Sequence, residues 1–192
     1  MSSPPIFGLV LTGGRSSRMS RDKASLAYHG RSQLERTMDL LTPFCSERFV
    51  SVRADQRNDP LRARYAQIVD REPGLGPLAG ILAAQAEVPT VAWLVVACDL
   101  PRLDADTLAQ LIKQRDTRHL ATAFRSSSDG LPEPLCALYE PASAPVIATY
   151  AASGGRCPRK FLLNNDVALF DLAHSHALDN VNSGAEYWQT MD

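Results

Sequence analysis

Residues 6–23 constrain the fold more than any other stretch, because a strand pattern runs there straight into a glycine-rich, cationic loop. Ile6-Phe7-Gly8-Leu9-Val10-Leu11 is an unbroken apolar run, the pattern of a strand covered on both faces, as parallel sheets require. Thr12 follows, and then Gly13-Gly14, where the backbone must turn sharply and lie close to something. Arg15, Arg18, Arg21 and Lys23 place four cations within nine residues, in a segment without helical or strand periodicity. α/β proteins hold phosphate groups in this way, with backbone N–H groups and side-chain cations facing one anion. Gly-Gly alone would fit a solvated loop that is merely basic; four cations after a buried strand favour phosphate binding.

Neither common phosphate fingerprint is present. A P-loop needs G-x-x-x-x-G-K-[ST], whereas Lys23 lies nine residues beyond Gly14 and precedes Ala24. A dinucleotide fold needs G-x-G-x-x-G, which is also missing.

At 192 residues, with 45% hydrophobic and 21% charged residues, the chain suits one globular domain able to bury a core unaided. A net charge of −1 gives no global attraction to nucleic acid or anionic membrane, so the basic loop is a local feature and neither partner is expected. Cys45, Cys98, Cys136 and Cys157 are widely spaced without a C-x-x-C pair, so neither a zinc site nor a disulfide framework is indicated. With no signal-peptide pattern at residues 1–5 and no transmembrane-length run, a cytoplasmic location is expected.

Strand and helix patterns alternate after the loop, which predicts a Rossmann-like open, mainly parallel sheet flanked by helices. Ser32-Gln33-Leu34-Glu35 is a capping box, with Leu34, Met38 and Leu41 at helical spacing before Pro43. Residues 49–52 read as a second strand with Arg53 at its carboxyl end, and Asn58-Asp59-Pro60 opens a short helix. Ile68-Val69 reads as a third strand ending at Asp70. Pro73-Gly74-Leu75-Gly76-Pro77-Leu78-Ala79-Gly80 leads into a helix; it is either a structural turn or a ligand loop.

Trp93-Leu94-Val95-Val96-Ala97-Cys98 is a fourth buried strand, and it delivers Asp99 at its carboxyl end, where parallel sheets bind ligands. Asp99 either caps the next helix or binds a cation shared with a phosphate; Asp104 is the nearer cap, which favours the metal. Cys98, ending a buried strand, reads as an inert core thiol. Further strands are expected at residues 120–124, 134–139 and 167–172, with helical pieces at 146–151 and 159–163. His174 and His176 lack a third ligand candidate and read as surface residues. Asn180 and Asn182 precede a short final helix that either could cap.

The pattern L-x-G-G-x-S-x-R-M-x-x-D-K, spanning Leu11 to Lys23, resembles the signature loop of molybdenum cofactor guanylyltransferases and of the wider nucleotidyltransferases. It departs at Thr12, where Ala is usual, and at Ser20, where Gly is usual; neither change removes a charge. The G-P-L-A-G loop ending at Gly80, the Cys-Asp-Leu-Pro turn, the P-L-x-A-L-Y strand from Pro134 and the Asn180-Val181-Asn182 turn follow in family order.

The resemblance implies a fold of the nucleotide-diphospho-sugar transferase type, one domain over 1–192, with a nucleotide-binding half to about 115 and a molybdopterin-binding half beyond. It implies transfer of GMP from Mg-GTP to the terminal phosphate of molybdenum-molybdopterin, with Mg²⁺ as cofactor. Leu11, Thr12, Gly13, Gly14, Arg18 and Lys23 would wrap the triphosphate, Asp99 would bind the metal, and Arg53, Asp70, Gly80, Asn180 and Asn182 would face the nucleotide. Arg53 stands where the guanylyltransferases commonly carry Asn. Arg125, Arg156 and Lys160 are candidate partners of the pterin phosphate by position. Transient contacts with molybdenum-insertion proteins and acceptor molybdoenzymes are also implied. The rival readings are a molybdopterin cytidylyltransferase, a sugar-phosphate nucleotidyltransferase and, last, a non-catalytic molybdopterin carrier.

Overall fold

The computed structural model describes residues 3–12, 27–28, 31–72, 74–172 and 176–179. In chain order the strands and helices are β1 (Ile6–Leu11), β2 (Ala27–Tyr28), β3 (Arg31–Ser32), α1 (Gln33–Leu40), β4 (Glu47–Val52), β5 (Gln67–Val69), α2 (Pro77–Glu87), β6 (Ala92–Ala97), α3 (Ala105–Lys113), β7 (Ala121–Arg125), β8 (Pro132–Tyr139), α4 (Ser143–Ala152), α5 (Pro158–Leu163) and β9 (Val167–Asp171). Seven strands form one sheet in the order β5-β4-β1-β6-β8-β7-β9, while β2 and β3 make a separate two-stranded ribbon. Every strand of the large sheet runs parallel to β1 except β8, which is antiparallel to both β6 and β7.

The local rules that shape the elements are visible at their ends. Ser32 accepts from the Glu35 N–H while the Glu35 carboxylate accepts from the Ser32 N–H, the reciprocal capping expected of that motif. Asp104 caps α3 through the Thr107 N–H at 2.8 Å. Gly76 precedes α2 at φ 58° and ψ −137°, a backbone state open to glycine, and Pro77 fills the first helical position. Asn58-Asp59-Pro60 leads into a single 3-10 turn, Arg62–Arg64, rather than a longer helix.

The core is two layers, one on each face of the sheet. On one face Leu34 and Met38 of α1 and Leu108 and Leu111 of α3 cover Val10, Val50, Val52 and Val96. On the other, Leu78 and Ile81 of α2, Ile147 of α4 and Phe161 of α5 cover Leu9, Leu11, Trp93 and Val95. Strand β6 lies between both layers, and all six of its residues are buried, which explains its continuous apolar run. Burial pushes the thiols of Cys45 and Cys136 up to about 12, and Cys98 lies in the first layer, so these three cysteines are packing groups. Among the described residues no helix is long and apolar enough to cross a membrane.

Candidate active site

The carboxyl ends of β5, β4, β1 and β6 lie side by side along one edge of the sheet. They present, in spatial order, Asp70, Arg53, Thr12 and Asp99. Neighbouring strands are roughly 4.8 Å apart, so three spacings separate Asp70 from Asp99 by roughly 14 Å. The ladder continues one step past β6: the Cys98 N–H donates to the Leu11 carbonyl at 3.1 Å. Half-buried Asp99 therefore emerges next to the strand that leads into residues 13–23.

Helix α1 braces the turn carrying Asp99. The Gln33 side-chain amide donates to the Leu100 carbonyl at 3.1 Å, and Arg36 donates to the Leu103 carbonyl at 2.6 Å. Gln33 is 2% exposed and sits at the first helical position, so its reach to Leu100 is fixed by the capping box beside it. The two donors are about one helical turn apart and both reach the segment after β6.

Thr12 is buried and held from two sides. Its hydroxyl donates to the Ser51 carbonyl at 2.8 Å and accepts from the Arg62 Nε at 3.0 Å, while Arg62 Nη2 reaches the Thr12 carbonyl at 3.3 Å. Arg62 is 1% exposed and pairs with Asp59 at 3.2 Å. A buried guanidinium thus anchors the residue immediately before Gly13-Gly14. Sequence reading did not single it out, because Arg62 and the exposed Arg64 stand in the same short Arg-Ala-Arg stretch; only tertiary placement separates them.

Asp70 accepts from the Ser51 hydroxyl at 2.8 Å. Burial raises its carboxyl above the ordinary aspartate range, against the opposing pull of the Ser51 hydrogen bond and the Arg53 charge. Arg53 itself is engaged in a forked pair with Asp55, at 3.0 and 3.1 Å. Gly80 lies inside α2 against the sheet: a Cβ there would collide with the Ser51 hydroxyl and come within 2.7 Å of Leu11 Cδ2. Its bareness lets the start of α2 close down on the ends of β1 and β4.

Of the other expected site residues, Gly13, Gly14, Arg18, Lys23, Asn180 and Asn182 lie outside the described residues. Arg156 donates to the Gly74 carbonyl at 3.3 Å, joining the loop after α4 to the loop before α2. Arg125 pairs with Asp171 at 3.4 Å at the ends of β7 and β9. His176 pairs with Asp179 at 2.9 Å, and His174 lies outside the described residues.

No group of three or more His, Cys, Asp or Glu gathers among the described residues to form a protein cage for a metal. Asp99 offers a single carboxylate, which is the donor set Mg²⁺ uses when substrate phosphates and water complete its octahedron. The residues present fit such a shared ion.

The MobA-like NTP transferase domain family matches residues 8–168 of the chain. A molybdenum cofactor biosynthesis bifunctional protein of Synechocystis is 35% identical over 98% of the chain and 54% of that protein. A molybdenum cofactor guanylyltransferase of Xanthomonas euvesicatoria is 40% identical over 62% of the chain and 59% of that protein. The chain thus spans little more than half the length of these two relatives. In three dimensions it resembles the molybdopterin-guanine dinucleotide biosynthesis protein A of Archaeoglobus fulgidus, with a TM-score of 0.79 at 22% identity and 96% coverage of each chain, which shows a shared fold.

Proposed function

The chain belongs to the MobA-like NTP transferase family, and from that premise we propose that it transfers GMP from Mg-GTP to the terminal phosphate of molybdenum-molybdopterin. The products are the guanine dinucleotide cofactor and pyrophosphate. The observation that carries this reading is the emergence of Asp99 beside Thr12, the last described residue before the glycine-rich, cationic stretch of sequence. It puts one carboxylate next to a stretch suited to polyphosphate.

In this reading an oxygen of the acceptor phosphate forms a bond to the α-phosphorus of GTP, and the bond from that phosphorus to the bridging oxygen of the β-phosphate breaks. Acceptor and donor are both polyanions, so positioning and charge neutralisation matter more than proton transfer. Lys23, Arg18 and the amides of Gly13 and Gly14 hold the triphosphate and steady the departing pyrophosphate. Asp99 would hold Mg²⁺, which when bound would supply Lewis-acid polarisation of the phosphoryl oxygens. Leu11 and Thr12 lead into that stretch, and Arg62 holds Thr12 in place. Asp70 and the start of α2 flank the nucleoside end, with Asn180 and Asn182 completing the phosphate side. The nucleotide half runs to about residue 115 and the molybdopterin half follows it.

Release of pyrophosphate from Mg-GTP that depends on added molybdopterin is the direct test. Absence of release with any nucleotide would leave only a carrier role. Arg53 is occupied by Asp55, so the main chain near Gly13 and Gly14 carries most of the base discrimination. GTP should outcompete CTP and ATP, and Arg53→Ala should cost less than about tenfold in kcat/KM, under about 1.4 kcal/mol. Wild-type preference for CTP would turn the assignment to the cytidylyltransferases.

A further inference from the structure

A cavity of about 180 Å³ opens beyond Asp99, between the turn joining β7 to β8 and the segment after β9, lined by Ser126, Glu133, Arg159, Leu172, Leu178 and Asp179 among others. Strands β7 and β9 run parallel to β1, so this cavity lies at the same edge of the sheet as Asp99, on the side away from Asp70. The two are joined directly: Arg102, three residues after Asp99, pairs through Nη1 with Asp179 at 3.3 Å. The Asp99 and Arg102 Cα atoms are at most roughly 10 Å apart, and the Arg102 side chain bridges from there to the Asp179 side of the cavity.

The polar wall is held in place before any ligand arrives. Arg159 stands between two carboxylates, donating to Asp129 at 2.9 Å and to the Glu133 Oε2 at 3.1 Å. The Ser126 hydroxyl, in a residue 9% exposed, lies 3.0 Å from that of Ser128. Leu172 and Leu178, half-buried against the core, add apolar surface to this polar wall. A carboxylate oriented by an arginine, hydroxyls beside it and leucines within the same small cavity suit a flat heterocycle that presents adjacent N–H donors and a carbonyl. They do not suit a phosphate, which Glu133 and Asp179 would repel.

We propose that this cavity binds the 2-amino-4-oxopyrimidine ring of the acceptor's pterin, with Glu133 accepting from the ring N–H and exocyclic amino group. The inference rests on the guanylyl-transfer reading for its ligand. Guanine carries the same donor and acceptor edge, but the nucleoside end of the donor is assigned to the Asp70 side, at the other end of the row. The acceptor ring is therefore the occupant here, and its phosphate reaches back toward Asp99.

Titration of the chain with neopterin, followed by quenching of pterin fluorescence, tests the site without turnover; Mg-GTP binding is measured in parallel by calorimetry. Saturable neopterin binding is expected. Glu133→Gln should weaken it at least tenfold and Ser126→Ala several-fold, with the dissociation constant for Mg-GTP unchanged within twofold. Absence of saturable neopterin binding, or equal affinity in wild type and both variants, overturns the proposal. Loss of Mg-GTP affinity in Glu133→Gln also overturns it, by assigning the cavity to guanine. If wild type bound neopterin through Glu133 but did not bind Mg-GTP, the transfer reading would fail while the cavity assignment stood. Should Glu133→Gln fail to fold, Ser126→Ala decides the matter alone.

Discussion

Asp99 and Asp70 are both aspartates at the carboxyl ends of parallel strands, and their surroundings set them different tasks. Asp99 stands on a turn braced by Gln33 and Arg36, next to Thr12, which precedes the glycine-rich, cationic stretch of the sequence. Asp99→Asn should keep the fold, because that bracing runs through main-chain carbonyls and not through the carboxylate. It should lower kcat by at least about a hundredfold, roughly 3 kcal/mol, since an amide is a poor Mg²⁺ ligand. Wild-type turnover of this variant at saturating Mg²⁺ would remove the metal role. Asp70 has the opposite signature, a carboxyl raised by burial. Its folded-state value lies above the unfolded one, so protonation favours the folded chain and ionisation opposes it. The favourable contribution is complete below the ordinary aspartate value of about 3.9 and is lost as pH rises through the raised value. Asp70→Asn should therefore raise Tm at pH 7, and the gain should shrink as pH falls toward 4. Thermal melts of the two proteins from pH 4 to 8 check the sign; a lower Tm for the variant at pH 7 would show that the carboxylate stabilises.

At the scale of elements, α2 shows how one bare position couples packing to the site. Glycine within a helix costs about 1 kcal/mol relative to alanine, so Gly80→Ala would help an isolated helix. Here the added methyl would strike Ser51, the donor to Asp70, and crowd Leu11, both buried. Overpacking costs about 1–3 kcal/mol, so the net effect should be a lower Tm together with weaker GTP binding. A more stable Gly80→Ala protein would mean that α2 shifts freely over the sheet.

The elements themselves were largely legible in the residue pattern. The capping box at Ser32, the Asp104 cap and the all-apolar β6 each follow from short-range chemistry that sequence displays directly. Partners distant in sequence were not legible. Gln33 and Leu100 are 67 positions apart, and Arg62 and Thr12 are 50 apart. Their polar side chains look like ordinary surface residues until the sheet brings them together. The antiparallel direction of β8 was hidden for a similar reason, since an apolar run has no polarity of its own.

Across the whole molecule, the two edges of the sheet carry different loads. The carboxyl edge holds Asp70, Thr12, Asp99 and the cavity near Glu133. The opposite edge holds an ion pair between Arg115, just after α3, and Glu140, just after β8, with bonds of 2.6 and 2.8 Å. Arg115 and Glu140 are 10% and 2% exposed, and Arg115 also donates to the Pro4 carbonyl at 2.9 Å, ahead of β1. This pair ties the start of the first half to the second. Removing one member leaves the other charge buried, at a cost of about 3–5 kcal/mol. For a chain of this size that corresponds to a fall in Tm of roughly 6–20 °C. Glu140→Ala should show that fall, yet the folded fraction at 20 °C should keep kcat and KM for GTP within about twofold, because the pair lies at the amino end of β6 and Asp99 just past its carboxyl end, a full strand length away. Melting curves and steady-state kinetics on the same preparation decide it. A variant with unchanged Tm would make the ion pair energetically neutral, and one with normal Tm but lost turnover would make the two edges a single functional unit.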